Sequence, residues 1–186
     1  MAKLVKTLGI SGSLRKASFN SAALRAAQEL VPEGLSLEIA DISEIPLYND
    51  DVRAVGYPAP VQRLRDQIAA ADALLFATPE YNYSMSGVLK NIIDWASRPP
   101  EPPVIGKPVA IMGATPGLWG TSRAQYHLRQ CFVFLNMFPV NKPEVLIHQA
   151  GNKFDAQGKL TDQPTRELIG QLLVALRDWT RRLNPA

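Results

Sequence analysis

The sequence predicts an α/β fold: a three-layer sandwich with a five-stranded parallel sheet of order 2-1-3-4-5 and helices on both faces. Three observations predict it. Short apolar runs alternate with amphipathic runs along all 186 residues, and parallel strands need crossovers, which are right-handed and usually helical. The run "ALLFA" (Ala73 to Ala77) is apolar without alternation, as a strand covered on both faces must be. No repeat, low-complexity tract or linker divides the chain, so one domain over residues 1–186 is expected, long enough to close a full core.

The elements follow in order. "LVKTLGIS" (Leu4 to Ser11) reads as the first strand, ending in a Gly/Ser turn. "SAALRAAQELV" (Ser21 to Val31) is a helix with Leu24, Ala27 and Val31 on one face, stopped by Pro32 and Gly34. "LSLEIADI" (Leu35 to Ile42) alternates, as a strand less covered on one side would. A helix over Val61 to Ala71 opens after Pro58 and Pro60 and leads into the central strand Ala73 to Ala77. "GVLKNIIDWAS" (Gly87 to Ser97) sets Leu89, Ile92, Ile93 and Ala96 on one stripe. "PPEPP" then ends it, because proline stops a helix and holds the chain extended. Strand four is Pro108 to Ala114, helix four Arg123 to Met137, strand five Glu144 to Ala150. A long last helix runs from Pro164 to Leu183, with proline acceptable near its start.

Composition narrows the function. Apolar residues at 46% and charged residues at 20% are ordinary for a soluble protein. No apolar run approaches the ~20 residues that span a bilayer, and the N-terminus lacks a signal-peptide core. A cytoplasmic location without membrane attachment is expected. The single cysteine, Cys131, excludes an internal disulfide and a multi-cysteine zinc site. It lies in the helical run "RQCFVFLNM", which suits core packing better than a nucleophile. The net charge of +3 comes from scattered basic residues. No basic run or aromatic stripe indicates a nucleic-acid partner. A slightly basic solvated surface explains that charge, and a small anionic ligand also fits it. His127 falls in a helical pattern and His148 in a strand pattern, so structural roles are expected for both. No metal site is expected.

Five such units are consistent with a flavodoxin-like sheet, whose ligand sits beyond the carboxyl ends of the strands beside strand one. Three loops therefore matter: after strands one, three and four. The first, "SGSLRKASFNS" (Ser11 to Ser21), offers hydroxyls, Arg15 and Lys16 just before a helix N-terminus. Unpaired amides and the helix dipole favour an anion there, and an arginine fork suits a phosphate. Competing phosphate loops fail on residue identity. No glycine follows Gly12 until Gly34, which excludes a P-loop, and G-x-G-x-x-G is absent. Asp41 alone does not mark a dinucleotide ribose site. Strand one ends in serines, whereas a phospho-receiver needs paired acids.

At "GSLRKASFN" and "PEYNYS", followed by "SGVLKNIIDW", the sequence resembles the NADPH-dependent FMN reductase family. "RAQYHLRQ" and "NKPE" look like its chromate and quinone reductase branch. The resemblance covers essentially the whole chain. It implies that Ser13, Arg15, Ser18 and Asn20 hold the FMN phosphate, with the backbone of Leu14 and Phe19 completing the cradle. Pro79, Glu80, Tyr81 and Asn82 would line the isoalloxazine ring, largely through main-chain groups. Thr115, Pro116 and Gly117, in the more variable loop "ATPGLWG", would cover its other edge. NADPH or NADH would be the co-substrate of a ping-pong relay to small-molecule acceptors: quinones, free flavin, azo compounds or chromate. No catalytic side chain is implied, because the cofactor carries the chemistry, and Glu80 is read as no acid catalyst. Helix four carries Arg123, Tyr126, His127 and Arg129 among apolar residues, so a homodimer or homotetramer through Arg123 to Met137 is expected, as in the family. Two other functions share this fold: an FMN electron carrier and a flavin-binding sensor without turnover. Carriers of that kind are usually strongly acidic, which this chain is not.

Overall fold

A computed structural model describes residues 3–185. In chain order the elements are β1 (Val5–Ser11), α1 (Phe19–Glu29), β2 (Leu35–Ile39), α2 (Asp50–Val55) and α3 (Ala59–Ala70). They continue as β3 (Ala73–Ala77), α4 (Gly87–Ala96), β4 (Pro108–Ala114), α5 (Ser122–Phe134), β5 (Phe138–Pro139), β6 (Val145–Ile147) and α6 (Gln163–Leu183). All pairings are parallel, in the order β2-β1-β3-β4-β5, and β6 also pairs with β4.

The expected order holds, with the fifth position shared by two short strands. β5 meets the start of β4 and β6 meets its end, Met112 opposite Val145 through Ala114 opposite Ile147. Pro143 stands between them, and without an N–H it cannot continue a ladder.

β3 and β4 are buried along their whole lengths, and their side chains split between two cores. Leu75, Ala77, Ala110 and Met112 face α1 and α6, meeting Leu24, Ile169, Leu172, Leu173 and Leu176. Leu74, Phe76, Val109 and Ile111 face the other helical layer, meeting Leu64, Ile68, Leu89, Ile92, Leu128 and Phe132. Each large aliphatic side chain so buried contributes about 1.5–3 kcal/mol. These layers hold the strand ends, and the loops that leave them, in fixed relation.

Boundaries differ from expectation where caps decide them. α1 begins at Phe19, two residues early, because the Ser18 hydroxyl accepts from the amides of Asn20 (3.2 Å) and Ser21 (3.3 Å). β2 stops at Ile39, and Ala40 and Ile42 continue into the core as loop residues. α3 opens at Ala59 and takes Pro60 into its first turn. α5 ends at Phe134 rather than Met137, since Asn136 turns left-handed at φ 48°. α2 was not anticipated. Asn49 caps it by accepting from the Asp51 amide at 2.8 Å, a signal present in "YNDDVRAVG".

Candidate functional site

The loops after β1, β3 and β4 meet at the carboxyl edge of the sheet and are tied to one another. Gly12 donates its amide to Ala77 at 2.8 Å and accepts from the Ser86 hydroxyl, the cap of α4, at 2.7 Å. A Cβ at position 12 would lie 2.8 Å from Pro79 Cδ, so only glycine permits this approach. Beyond it, Ser13 and Ser18 are buried while Leu14, Arg15 and Lys16 are exposed. Among the described residues, the amides of Leu14, Lys16, Ala17 and Phe19 carry no hydrogen bond, and the Arg15 side chain has no partner. This leaves unpaired donors at the positive end of α1.

Asn20 behaves differently from its companions. Its side-chain amide is engaged at both ends by the peptide of Ala114, donating at 3.0 Å and accepting at 2.9 Å. Buried and doubly bonded, it joins the loop after β1 to the end of β4. The structure therefore gives its side chain a positioning role.

After β3, Tyr81 and Ser84 exchange backbone hydrogen bonds of 3.0 Å around Asn82 (φ 49°) and Tyr83 (φ 68°). Both central residues are left-handed, the geometry of a type I′ turn. Asparagine accepts this readily, whereas tyrosine does so at a cost of order 1–3 kcal/mol. The turn holds the amides of Glu80 and Asn82 free of partners among the described residues. Pro79 is buried, and its carbonyl accepts from Thr78 Oγ1 at 2.9 Å.

The Glu80 carboxylate is 8% exposed and serves three donors. Oε2 accepts from the amides of Arg123 (3.1 Å) and Ala124 (3.3 Å), and Oε1 pairs with the Arg123 guanidinium at 2.5 Å. Thr121, the local N-cap of α5, is left-handed and makes no capping bond with its side chain. A carboxylate from another loop thus caps this helix, which gives Glu80 a role without catalysis.

After β4, Thr115 donates its amide to Ile147 at 3.0 Å, and Thr115 Oγ1 accepts from Gly117 at 3.3 Å. Pro116 and Gly117 are exposed. Gly113 is held where a Cβ would lie 2.5 Å from the Thr78 carbonyl, so β3 and β4 approach closely under the site. A cleft of about 280 Å³ opens between the second and third loops, lined by Glu80, Asn82, Tyr83, Thr115, Gly117 and Trp119. Other hollows, of about 340 Å³ against α6 and about 460 Å³ beside β2, lie away from the three loops.

Outside the cleft, His127 Nδ1 bonds Ser84 at 3.0 Å, and His148 is exposed just past β6. Cys131 is half-buried rather than core, and burial pushes its thiol pKa up, against a nucleophilic role. No helix among the described residues is long and apolar enough to cross a membrane.

The donor set suits a flavin mononucleotide. Free amides and an unpaired arginine at a helix N-terminus match a phosphate, and an adjoining cleft with free amides on its rim matches a planar ring with polar edges. The fold is flavodoxin-like, and at its carboxyl edge unpaired donors stand at the N-terminus of α1 near a cleft between the next two loops.

Comparison with known proteins agrees. The sequence profile described as NADPH-dependent FMN reductase matches residues 5–152. An NAD(P)H-dependent FMN reductase of Pseudomonas aeruginosa is 67% identical over 184 residues, covering 99% of this chain and all of that one. A quinone reductase of Escherichia coli K12 is 41% identical, with 99% of this chain and all of that one covered. The structure of FerB, a flavoenzyme NAD(P)H:(acceptor) oxidoreductase from Paracoccus denitrificans, superposes with a TM-score of 0.87 at 35% identity, covering 96% and 98% of the two chains. The chain belongs to the NADPH-dependent FMN reductase family: it is an oxidoreductase with FMN as cofactor and NAD(P)H as co-substrate.

Proposed function

We infer that the protein passes hydride from NAD(P)H to quinones in a ping-pong cycle, with NAD(P)H and the acceptor taking turns in the same cleft. The observation that supports this is one cleft between the second and third loops, lined by Glu80, Asn82, Tyr83, Thr115, Gly117 and Trp119, where a flavin ring seated in it would present the same open face to either partner. When bound, FMN supplies the two-electron chemistry that links the two half-reactions.

The chain's own residues bind and orient. The free amides of the first loop, with Ser13, Ser18 and Arg15, would hold the phosphate. The amides of Glu80 and Asn82 would meet the ring's polar edge, where charge develops on reduction. Thr115, Pro116 and Gly117 would close the other edge, and Asn20 keeps that loop in register with the cradle. Tyr83 and Trp119 offer aromatic faces against which a planar partner can stack, placing reacting atoms at near-attack distance. Free flavin, azo compounds and chromate are further acceptors that an open ring face would serve, and a cytoplasmic site of action is proposed with them. NADPH oxidation that requires both bound FMN and a quinone, with parallel double-reciprocal lines, is the expected kinetic result. Intersecting lines would contradict the alternating use of one cleft.

A homo-oligomer is also proposed, on grounds different from the polarity of α5. Arg123 pairs with Glu80, His127 with Ser84, and Arg129 with Val140 and Asn141, so those polar groups are answered within the chain. What supports association is an apolar stripe. Tyr126, Val133 (83% exposed) and Phe134 (90% exposed) recur at i, i+7 and i+8 on the outer face of α5. Light scattering at micromolar concentration should give a multiple of the 20.4 kDa chain mass; a monomer mass would remove the proposal.

A further inference from the structure

Arg123 stands at the wall of the cleft, its side chain about one-third exposed (31%), and its charge has one ionic partner. Its guanidinium lies 3.8 Å from the Tyr83 ring centroid and 5.6 Å from that of Trp119. Its Nε is buried and makes no hydrogen bond. Among the described residues, Glu80 alone forms an ion pair with it. Glu80 and Arg123 both line the cleft. An arginine fixed between two aromatic rings beside a redox cleft would by itself attract anions, and the Glu80 carboxylate cancels that charge at contact distance.

We propose that Glu80 is a specificity-determining residue that sets the charge of the acceptor cleft to zero and so removes a preference for anionic acceptors that Arg123 would otherwise impose. The proposal rests on the cleft being the acceptor site. The two features of the carboxylate can be separated. Its hydrogen bonds to the α5 amides need only an acceptor oxygen, which glutamine retains. Its cancellation of Arg123 needs a negative charge, which glutamine lacks. Glu80→Gln therefore leaves one uncompensated positive charge in the wall while keeping the helix capped.

The test compares 1,4-naphthoquinone with its 2-sulfonate in the acceptor half-reaction. Both take one hydride and one proton to give the hydroquinone, so intrinsic differences between them cancel when their ratio is followed across variants. In E80Q the kcat/KM ratio of sulfonate to parent quinone should rise about tenfold at low ionic strength, the scale of one unit charge a few ångströms away in a partly solvated site. It should fall back toward the wild-type ratio in concentrated salt. Arg123→Gln leaves Glu80 unpaired and should move the ratio the opposite way, and the double variant should restore it. Naphthalene-2-sulfonate, which cannot be reduced, supplies a readout without turnover: E80Q should bind it about tenfold tighter by calorimetry. A ratio and an affinity both within twofold of wild type in E80Q would overturn the proposal. Wild-type protein that reduces neither quinone would overturn the functional reading instead, and the calorimetric comparison would still decide the charge role of Glu80.

Discussion

Alanine at position 65 is expected to destabilise the fold by about 3–5 kcal/mol, lowering the melting temperature by on the order of 10 °C for a chain of this size. Arg65 is 6% exposed and has no carboxylate partner among the described residues. Its guanidinium instead donates to five carbonyls: Trp95 at 3.1 Å, Ala96 at 3.4 Å, Arg98 at 3.1 Å, Pro100 at 2.9 Å and Glu101 at 3.3 Å. Three of these belong to the end of α4 and the turn after it, where the helix dipole presents negative charge. The Tyr57 ring covers the other side, 4.1 Å from the guanidinium carbon. Truncation leaves buried acceptors without a donor and a cavity where the fork stood. Lysine would restore the charge without the planar fork and should recover only part of the loss. The site loops lie at the opposite end of α4, so FMN affinity measured below the melting transition should persist. A loss under 1 kcal/mol in urea unfolding would show that solvent satisfies those carbonyls.

Arg15→Ala is expected to weaken FMN binding by about 1.5–3 kcal/mol, the scale of hydrogen bonding to a charged group, or roughly 10- to 100-fold in Kd. The side chain has no partner within the described fold, so its removal disturbs no internal contact and the effect reports on the ligand directly. Lys16 is adjacent and equally exposed but has no assigned role, and alanine there should change affinity less. Fluorescence titration of apoprotein with FMN measures both. Equal, small losses at 15 and 16 would reduce Arg15 to a general electrostatic contribution and move the phosphate site onto the backbone amides alone.

Most of the architecture was legible because hydrophobic period and helix breakers are local. "ALLFA" announced a strand buried on both faces, and topology alone placed the loops leaving it and β1 at the same edge of the sheet. Less legible were contacts between segments far apart in sequence. Nothing local to "SFNS" indicates that Asn20 will meet Ala114, 94 positions away. The use of Glu80 as the cap of α5 depends on a tertiary approach of two loops. The stack of Tyr83, Arg123 and Trp119 arises the same way. The fifth strand was blurred for a local reason: Pro143 breaks it, and its first fragment, Phe138–Pro139, is too short to show any period. The stripe Tyr126, Val133 and Phe134 was visible as apolar residues, yet only the orientation of α5 shows that it faces outward and not into the core.

We propose that these three loops hold FMN as a two-electron site that NAD(P)H reduces without a protein partner. Anaerobic rapid mixing of FMN-loaded protein with NADPH tests it most directly. Complete loss of the oxidised-flavin absorbance with one equivalent of NADPH, followed by full recovery on adding a quinone, is the predicted result. Flavin that stays bound and oxidised in the presence of NADPH would contradict this role, and would mark the protein as a carrier or sensor on the same fold.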